Sequence, residues 1–259
     1  MNRITALAAT VALAAGSLAL TAPAAQAAPA KYKVTAKANT EIAIVKEDTV
    51  KIRGRVTPKA AGQKVVLQQR VGNKKSWKVT ASAKVKGNGT YVLKDKPTTP
   101  GSREYRVVKA ASNGVQKGIS KSMPVEVYKW EKLVGRDAGP ATNFAGPAGV
   151  NIGAEYYGSS LATTTAGTPS SVEYTLGRKC IEMRASYALT DESASGATGS
   201  VTVAGDGAVL ASHALAIGTL VADETLDLAG IFRLKVDAIT SATPAATAAV
   251  ATPEVLCTR

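Results

Sequence analysis

Residues 50–56 read Val-Lys-Ile-Arg-Gly-Arg-Val, and this alternation of apolar residues and cations decides the fold class of the first half of the chain. Successive side chains of a β-strand point to opposite faces, so the stretch predicts a half-buried antiparallel strand with a wet outer face. Similar short runs follow one another between residues 32 and 128, separated by Gly, Pro, Asn or Asp. About seven strands in roughly 100 residues are typical of an immunoglobulin-like (Ig-like) sandwich.

Residues 150–257 contain a second series of short runs, again without sustained helical periodicity. Gly205-Asp206-Gly207 is a hairpin-turn signal between two of them. About eight strands in roughly 110 residues, with almost no helix, predict another sandwich, here of the jelly-roll kind. We therefore expect an all-β protein of two β-sandwich domains, Ig-like followed by jelly-roll.

Charge divides the chain into two halves. Residues 31–136 hold 25 Lys and Arg against 7 Asp and Glu, whereas residues 137–259 hold 6 against 12. Such a contrast is hard to ascribe to one uniform surface. The Gly- and Pro-punctuated stretch 135–149 is typical of a loop or linker. We expect a basic Ig-like sandwich at residues 28–130 and an acidic sandwich at residues 131–259.

The first 27 residues have the pattern of a signal peptide. Arg3 supplies positive charge, residues 4–20 are apolar and rich in small side chains, and Ala25-Gln26-Ala27 gives the small-x-small pattern that precedes cleavage. A single-pass membrane anchor is the alternative interpretation. We expect a secreted, extracellular bacterial protein that leaves the membrane after cleavage and is either released or held at the cell wall non-covalently.

The two cysteines, Cys180 and Cys257, both lie in the acidic half. In an exported chain, one pair of cysteines most simply forms a disulfide. Two free buried thiols are the alternative. A crosslink between them would close a loop of about 75 residues, which is worth roughly 4 kcal/mol in the chain-entropy account.

The basic half carries a pattern of its own in Gly54-Arg55-Val56-Thr57-Pro58 and in the strand that contains Val66-Leu67-Gln68. It resembles bacterial Ig-like or fibronectin-like modules. This resemblance implies an architecture and carries no activity.

The acidic half contains the strand 172–176 (VEYTL), then Cys180, then the strand 199–203 (GSVTV) with Asp206-Gly207 after it. In order and spacing this resembles the NPCBM family of carbohydrate-binding modules, which implies a galactose-binding-like β-sandwich and a partner cysteine near the C-terminus. Members often carry a His-containing loop before the first of these strands and an acidic, Trp-containing loop before the last strand. This chain has LATTTAG at 161–167 and AATAAVAT at 245–252 in those places.

Sugar recognition usually combines aromatic faces with planar polar groups. The resemblance places the acidic loop Asp191-Glu192 at the ligand-binding end of the sandwich, and Tyr156-Tyr157 could supply a ring nearby. Alternatively, Asp191 and Glu192 are solvent-exposed carboxylates of a turn and have no role in binding. The acidic pair could also help to ligate a structural calcium ion. We expect no other cofactor and no other metal.

Nothing in the sequence indicates catalysis. His213 is the only histidine and has no evident acid partner, and no Gly-x-Ser-x-Gly motif or phosphate-binding loop is present. The sequence thus predicts a secreted, non-catalytic carbohydrate-binding or cell-surface-binding protein whose partner is a glycan or an anionic cell-wall polymer. Specific nucleic-acid recognition is not expected, because little aromatic interleaving accompanies the cations. The alternative is a structural or protein-interaction protein of the cell envelope with degenerate ligand sites.

Overall fold

The computed structural model describes residues 30–259, so the signal peptide expected at residues 1–27 lies outside the described residues. This part of the chain contains β-strands and a single turn of 3-10 helix at Leu133–Gly135. The all-β fold class predicted from the alternating runs is confirmed.

The basic half forms two sheets. Its strands are β1 (Lys33–Ala38), β2 (Ile42–Ile44), β3 (Val50–Thr57), β4 (Lys64–Val71), β5 (Lys78–Lys84), β6 (Thr90–Asp95), β7 (Gly101–Lys109), β8 (Gly118–Ile119) and β9 (Met123–Lys132). One sheet has the order β1-β3-β6, and the other has the path β9-β7-β4-β5. Short β2 pairs with β9 in parallel, and short β8 pairs with β7.

The alternation that decided the fold prediction is reproduced in β3. Val50, Ile52 and Val56 are buried, whereas the cations between them are exposed. The buried residues belong to one hydrophobic core that draws its members from residues 32–127, with Tyr91 and Tyr105 among its largest side chains. Burial of these apolar side chains between two sheets therefore holds the basic half together.

The acidic half forms a second pair of sheets. Its strands are β10 (Ala138–Thr142), β11 (Phe144–Ile152), β12 (Glu155–Thr163), β13 (Ser170–Thr175), β14 (Cys180–Leu189), β15 (Thr198–Gly205), β16 (Ala208–Ala216), β17 (Leu220–Asp227), β18 (Arg233–Thr240) and β19 (Ala248–Cys257). One sheet has the order β10-β13-β18-β15-β16. In the other, β11 pairs with β12, β12 with β19, β19 with β14, and β14 with β17.

A separate core, drawn from residues 133–257, fills the space between these two sheets. Tyr174 and Tyr187 are both buried in it, so neither ring is free to stack on a ligand.

The Gly- and Pro-punctuated stretch 135–149 is not a linker, which corrects the prediction. It contains β10 and most of β11, and the β11–β12 hairpin folds over the outer face of its own sheet. Along β19, Ala248 and Val250 face the main core, whereas Ala249 and Ala251 pack against the hairpin residues Val150 and Ile152. The small side chains of 248–251 let this second layer approach closely, and they belong to a strand rather than to a loop.

Strand β9 runs across the predicted boundary between residues 130 and 131. Its first half pairs with β7 of the basic half, and its second half, Lys129 to Lys132, pairs with β19 of the acidic half. The two hydrophobic cores are thus connected by one continuous strand rather than by a flexible linker.

A disulfide joins Cys180 to Cys257, with an S–S distance of 1.98 Å. The two residues face one another in the register of β14 and β19. The predicted crosslink is confirmed, and it fastens the last strand to a neighbouring strand of the same sheet.

Candidate functional site

The tip of the β11–β12 hairpin is held by one carboxylate. Gly153 and Ala154 both have positive φ, at 61° and 66°, which is the conformation of a tight hairpin turn. Asp191 accepts hydrogen bonds from both backbone amides, Oδ1 from Gly153 at 2.7 Å and Oδ2 from Ala154 at 2.8 Å. The Asp191 amide donates in turn to the carbonyl of Asn151 at 2.9 Å. Asp191 therefore positions the hairpin against the end of β14.

A cleft of about 360 Å³ opens beside this hairpin tip. Three segments line it: the tip itself from Ile152 to Tyr157, the end of β14 with the residues after it (Leu189 to Ser193), and the β16–β17 connection (217–220). A volume of this size lies within the range of small-ligand pockets, roughly 300–1,000 Å³.

Tyr157 supplies an aromatic ring to the cleft. Its hydroxyl donates to Oε2 of Glu155 at 3.1 Å. Partial burial raises the pKa of the Tyr157 hydroxyl, and the Glu155 hydrogen bond and the negative charges of Glu155 and Asp223 raise it further. The hydroxyl is thus protonated at neutral pH and can act as a hydrogen-bond donor.

Thr190 lines the cleft but keeps its hydroxyl buried. The residue is buried, and its hydroxyl Oγ1 has no hydrogen-bond partner within residues 30–259. A buried hydroxyl without a partner costs about 1–3 kcal/mol. Opposite it, Ile217 and Leu220 are large apolar residues that remain 41% and 42% exposed. The cleft thus combines an aromatic ring, polar groups and apolar walls.

The structure brings two of the four predicted ligand residues together and leaves two apart. Asp191 and Tyr157 both line the cleft, whereas Tyr156 and Glu192 do not. Tyr156 lies on the opposite face of β12, where it is 69% exposed and its ring lies against Gly149. Glu192 is exposed in the turn after β14.

Sequence reasoning missed Glu155, Thr190 and the β16–β17 connection as parts of this cleft. Their proximity depends on the hairpin folding over the sheet, for which the sequence gives no local signal.

The structure gives no support for a calcium site, since within the described chain no three His, Cys, Asp or Glu side chains form a group that could hold a metal ion. Both Asp191 oxygens already accept backbone hydrogen bonds.

His213 has an acid partner that the sequence did not reveal, which corrects that expectation. Its Nε2, on β16 of one sheet, lies 2.9 Å from Oε2 of Glu224 on β17 of the other sheet, and its ring lies 4.7 Å from that of Tyr187. Among the described residues, no serine or cysteine hydrogen-bonds to this ring. The pair therefore ties two strands together, and the expectation that the protein is non-catalytic stays a prediction.

None of the helical structure in residues 30–259 is long and apolar enough to cross a bilayer. Comparison with known proteins finds no family model and no curated protein that matches this chain.

Proposed function

We propose that this is a secreted, non-catalytic protein that binds a carbohydrate of a cell surface in the cleft between the β11–β12 hairpin and the β16–β17 connection. Its two halves would be an Ig-like sandwich and a jelly-roll sandwich of the galactose-binding-like, NPCBM kind. The observation that carries the proposal is the convergence of the Tyr157 ring, the Glu155 carboxylate and the exposed apolar side chains of Ile217 and Leu220 on one cleft.

Each of these groups suits a sugar. An aromatic ring packs against the C–H surface of a pyranose, while a carboxylate accepts hydrogen bonds from its hydroxyls. The exposed side chains of Ile217 and Leu220 can pack against the remaining C–H surface of the sugar. The aromatic residue that lines the cleft is Tyr157 alone. We therefore expect weak binding, with dissociation constants on the order of millimolar to tens of micromolar, or a binding free energy of about 4–7 kcal/mol.

The test uses the full secreted chain. A glycan array identifies candidate oligosaccharides, and NMR or calorimetric titration then measures their affinity. Tyr157→Ala should abolish binding that the wild type shows. Tyr156→Ala is the matched control, because the same residue type is removed from the adjacent position on the opposite face of β12.

A second variant separates binding from folding. Thr190→Val keeps the shape of the side chain but removes a hydroxyl that has no partner, so the folded state should be at least as stable as the wild type. Because Oγ1 is buried and does not reach the cleft surface, the same variant should leave sugar affinity unchanged, whereas Tyr157→Ala should abolish binding. Absence of any sugar binding at millimolar concentration would overturn the proposal and leave a protein-interaction role in the cell envelope.

A further inference from the structure

The outer face of the β1-β3-β6 sheet carries six cations. All six are exposed, and they alternate along the strands with the buried core residues. They are Lys33 and Lys37 on β1, Lys51, Arg53 and Arg55 on β3, and Lys94 on β6. We call this surface the cationic face.

The cations of this face stand directly opposite one another across the sheet. Lys37 pairs in register with Arg53, and Lys51 pairs with Lys94. Like charges in such positions destabilise a sheet. None of the six takes part in the ion pairs that residues 30–259 form. The repulsion within this face is thus not offset by any of the ion pairs of residues 30–259.

Two arginines of the other sheet of the basic half have partners within the protein. Arg70 pairs with Glu104 at 2.8 Å, and the guanidinium groups of Arg70 and Arg106 lie 5.0 Å and 4.0 Å from the ring centre of Trp77. These cations already have partners within the protein. The cationic face differs in that none of its six cations, three of them on the single strand β3, has an ion-pair partner among the described residues.

We infer that the cationic face is a docking surface for a linear phosphodiester polymer that carries no bases, separate from the cleft of the acidic half. Neighbouring strands lie about 4.8 Å apart, so three strands offer a width of about 10 Å, which suits one extended chain rather than a duplex. The cations of β3 recur every second residue, or about every 7 Å, and form a track along the strand.

The chemistry of the face favours a phosphate backbone without bases over a nucleic-acid strand and over a polysaccharide with charged sugar rings. Arg53 and Arg55 occupy the central strand, and the guanidinium fork matches two oxygens of a phosphate. The uncharged residues that accompany the cations are Val92 and the threonines Thr35, Thr57 and Thr90. No aromatic ring stands among them to stack on a base or a pyranose.

The experiment measures binding of the full chain to a synthetic poly(glycerol phosphate) of defined length as a function of salt. Six contacts predict a slope of log affinity against log salt of about −4, by analogy with flexible single strands, and so a loss of a few hundredfold between 50 and 200 mM. Lys37→Gln combined with Arg53→Gln should make the slope shallower by about 1.4. This variant should fold normally, because it removes a repulsion.

The matched control is Lys64→Gln combined with Lys84→Gln, which neutralises an opposed pair of cations on the other sheet. It changes the net charge equally and should leave the slope nearly unchanged. Equal weakening by both double variants would show that the attraction is diffuse and overturn the inference, as would no binding at 50 mM salt. Tighter binding to a sulfated polysaccharide or to oligothymidine would also overturn it. Tyr157→Ala should not affect this binding, so failure here and failure of the cleft are distinguishable.

Discussion

The Tyr91 hydroxyl donates a hydrogen bond to the carbonyl of Thr35 at 2.5 Å, and its ring reaches that atom by passing over Gly54. Tyr91 and Gly54 are opposite one another in the register of β6 and β3, and Thr35 lies on β1 beyond them. A Cβ at position 54 would stand 2.5 Å from the tyrosine oxygen and 1.8 Å from the Thr35 carbonyl oxygen. The glycine inside the fold-deciding stretch therefore makes room for a bond that spans all three strands.

Gly54→Ala should destabilise the protein, because the new methyl group displaces the Tyr91 ring and breaks its hydrogen bond to Thr35. Overpacking of this kind costs about 1–3 kcal/mol. Urea denaturation of the full chain measures the loss as a lower midpoint.

Tyr91→Phe is the companion variant. It removes the hydroxyl but keeps the ring, so it should cost about 1 kcal/mol, the usual contribution of one hydrogen bond. If Gly54→Ala were no more harmful than Tyr91→Phe, steric exclusion at position 54 would not be the reason for the glycine.

Loss of the disulfide should be among the costliest single changes in the acidic half. Cys257→Ala frees the last strand from β14 at the position where the two strands face one another. Removal of a native disulfide from a small secreted domain typically costs about 2–5 kcal/mol. Denaturation of Cys257→Ala beside oxidised wild type measures this loss, and reduced wild type should match the variant.

Mass spectrometry of the unreduced protein provides the direct check. A peptide pair that contains Cys180 and Cys257 should appear and should separate on reduction. Two thiols titrating in the native secreted protein would contradict the crosslink.

Asp206, in the turn between β15 and β16, should make the stability of the protein depend on pH. Asp206 accepts hydrogen bonds from the amides of Phe232 at 3.0 Å and Arg233 at 2.8 Å. These bonds, the first causes of the shift, lower the pKa of Asp206. A carboxyl whose pKa is depressed in the folded state contributes stability above its unfolded pKa, about 3.9, and loses it as the pH falls through the folded value.

Asp206→Asn should accordingly lower the urea midpoint at neutral pH, and the difference from wild type should disappear in acid below the depressed pKa of Asp206. Asp223→Asn is the matched control. Both aspartates have positive φ, 50° and 48°, a conformation that asparagine tolerates, but only Asp206 bonds to two distant amides. If the difference in urea midpoint between Asp206→Asn and wild type persisted unchanged to the lowest pH, the negative charge of Asp206 would not be the source of the stabilisation.

The strands of the basic half were predictable because buried and exposed positions alternate strictly, as in β3. The first strands of the acidic half were not. In residues 138–152 Gly and Pro are frequent, and β10 is exposed along its whole length, so no alternation marks it. A high content of Gly and Pro predicts a linker. The structure of this stretch is decided instead by the pairing of β10 with β13 and by the folding of the β11–β12 hairpin over the sheet.

The same reason limits prediction of the cleft. Tyr157 and Asp191 could be chosen from the sequence, because rings and carboxylates suit sugars. Their meeting depends on two amides at the hairpin tip, Gly153 and Ala154, that hydrogen-bond to Asp191 from about 38 residues away along the chain. A sequence shows which groups are present, but a backbone partner of this kind becomes visible only in three dimensions.

Asp191→Ala tests whether this carboxylate positions the hairpin. The variant removes both acceptors of the Gly153 and Ala154 amides, while the other contacts of the β11–β12 hairpin remain. A hydrogen bond to a charged group is worth about 1.5–3 kcal/mol, so these two amides should exchange with solvent at least roughly tenfold faster. Hydrogen exchange followed by NMR reads each amide separately. Glu192→Ala removes the adjacent exposed carboxylate and should leave both rates unchanged. Unaltered protection of Gly153 and Ala154 in Asp191→Ala would mean that the hairpin holds its position by packing alone, and that Asp191 is free to serve the cleft as a ligand group.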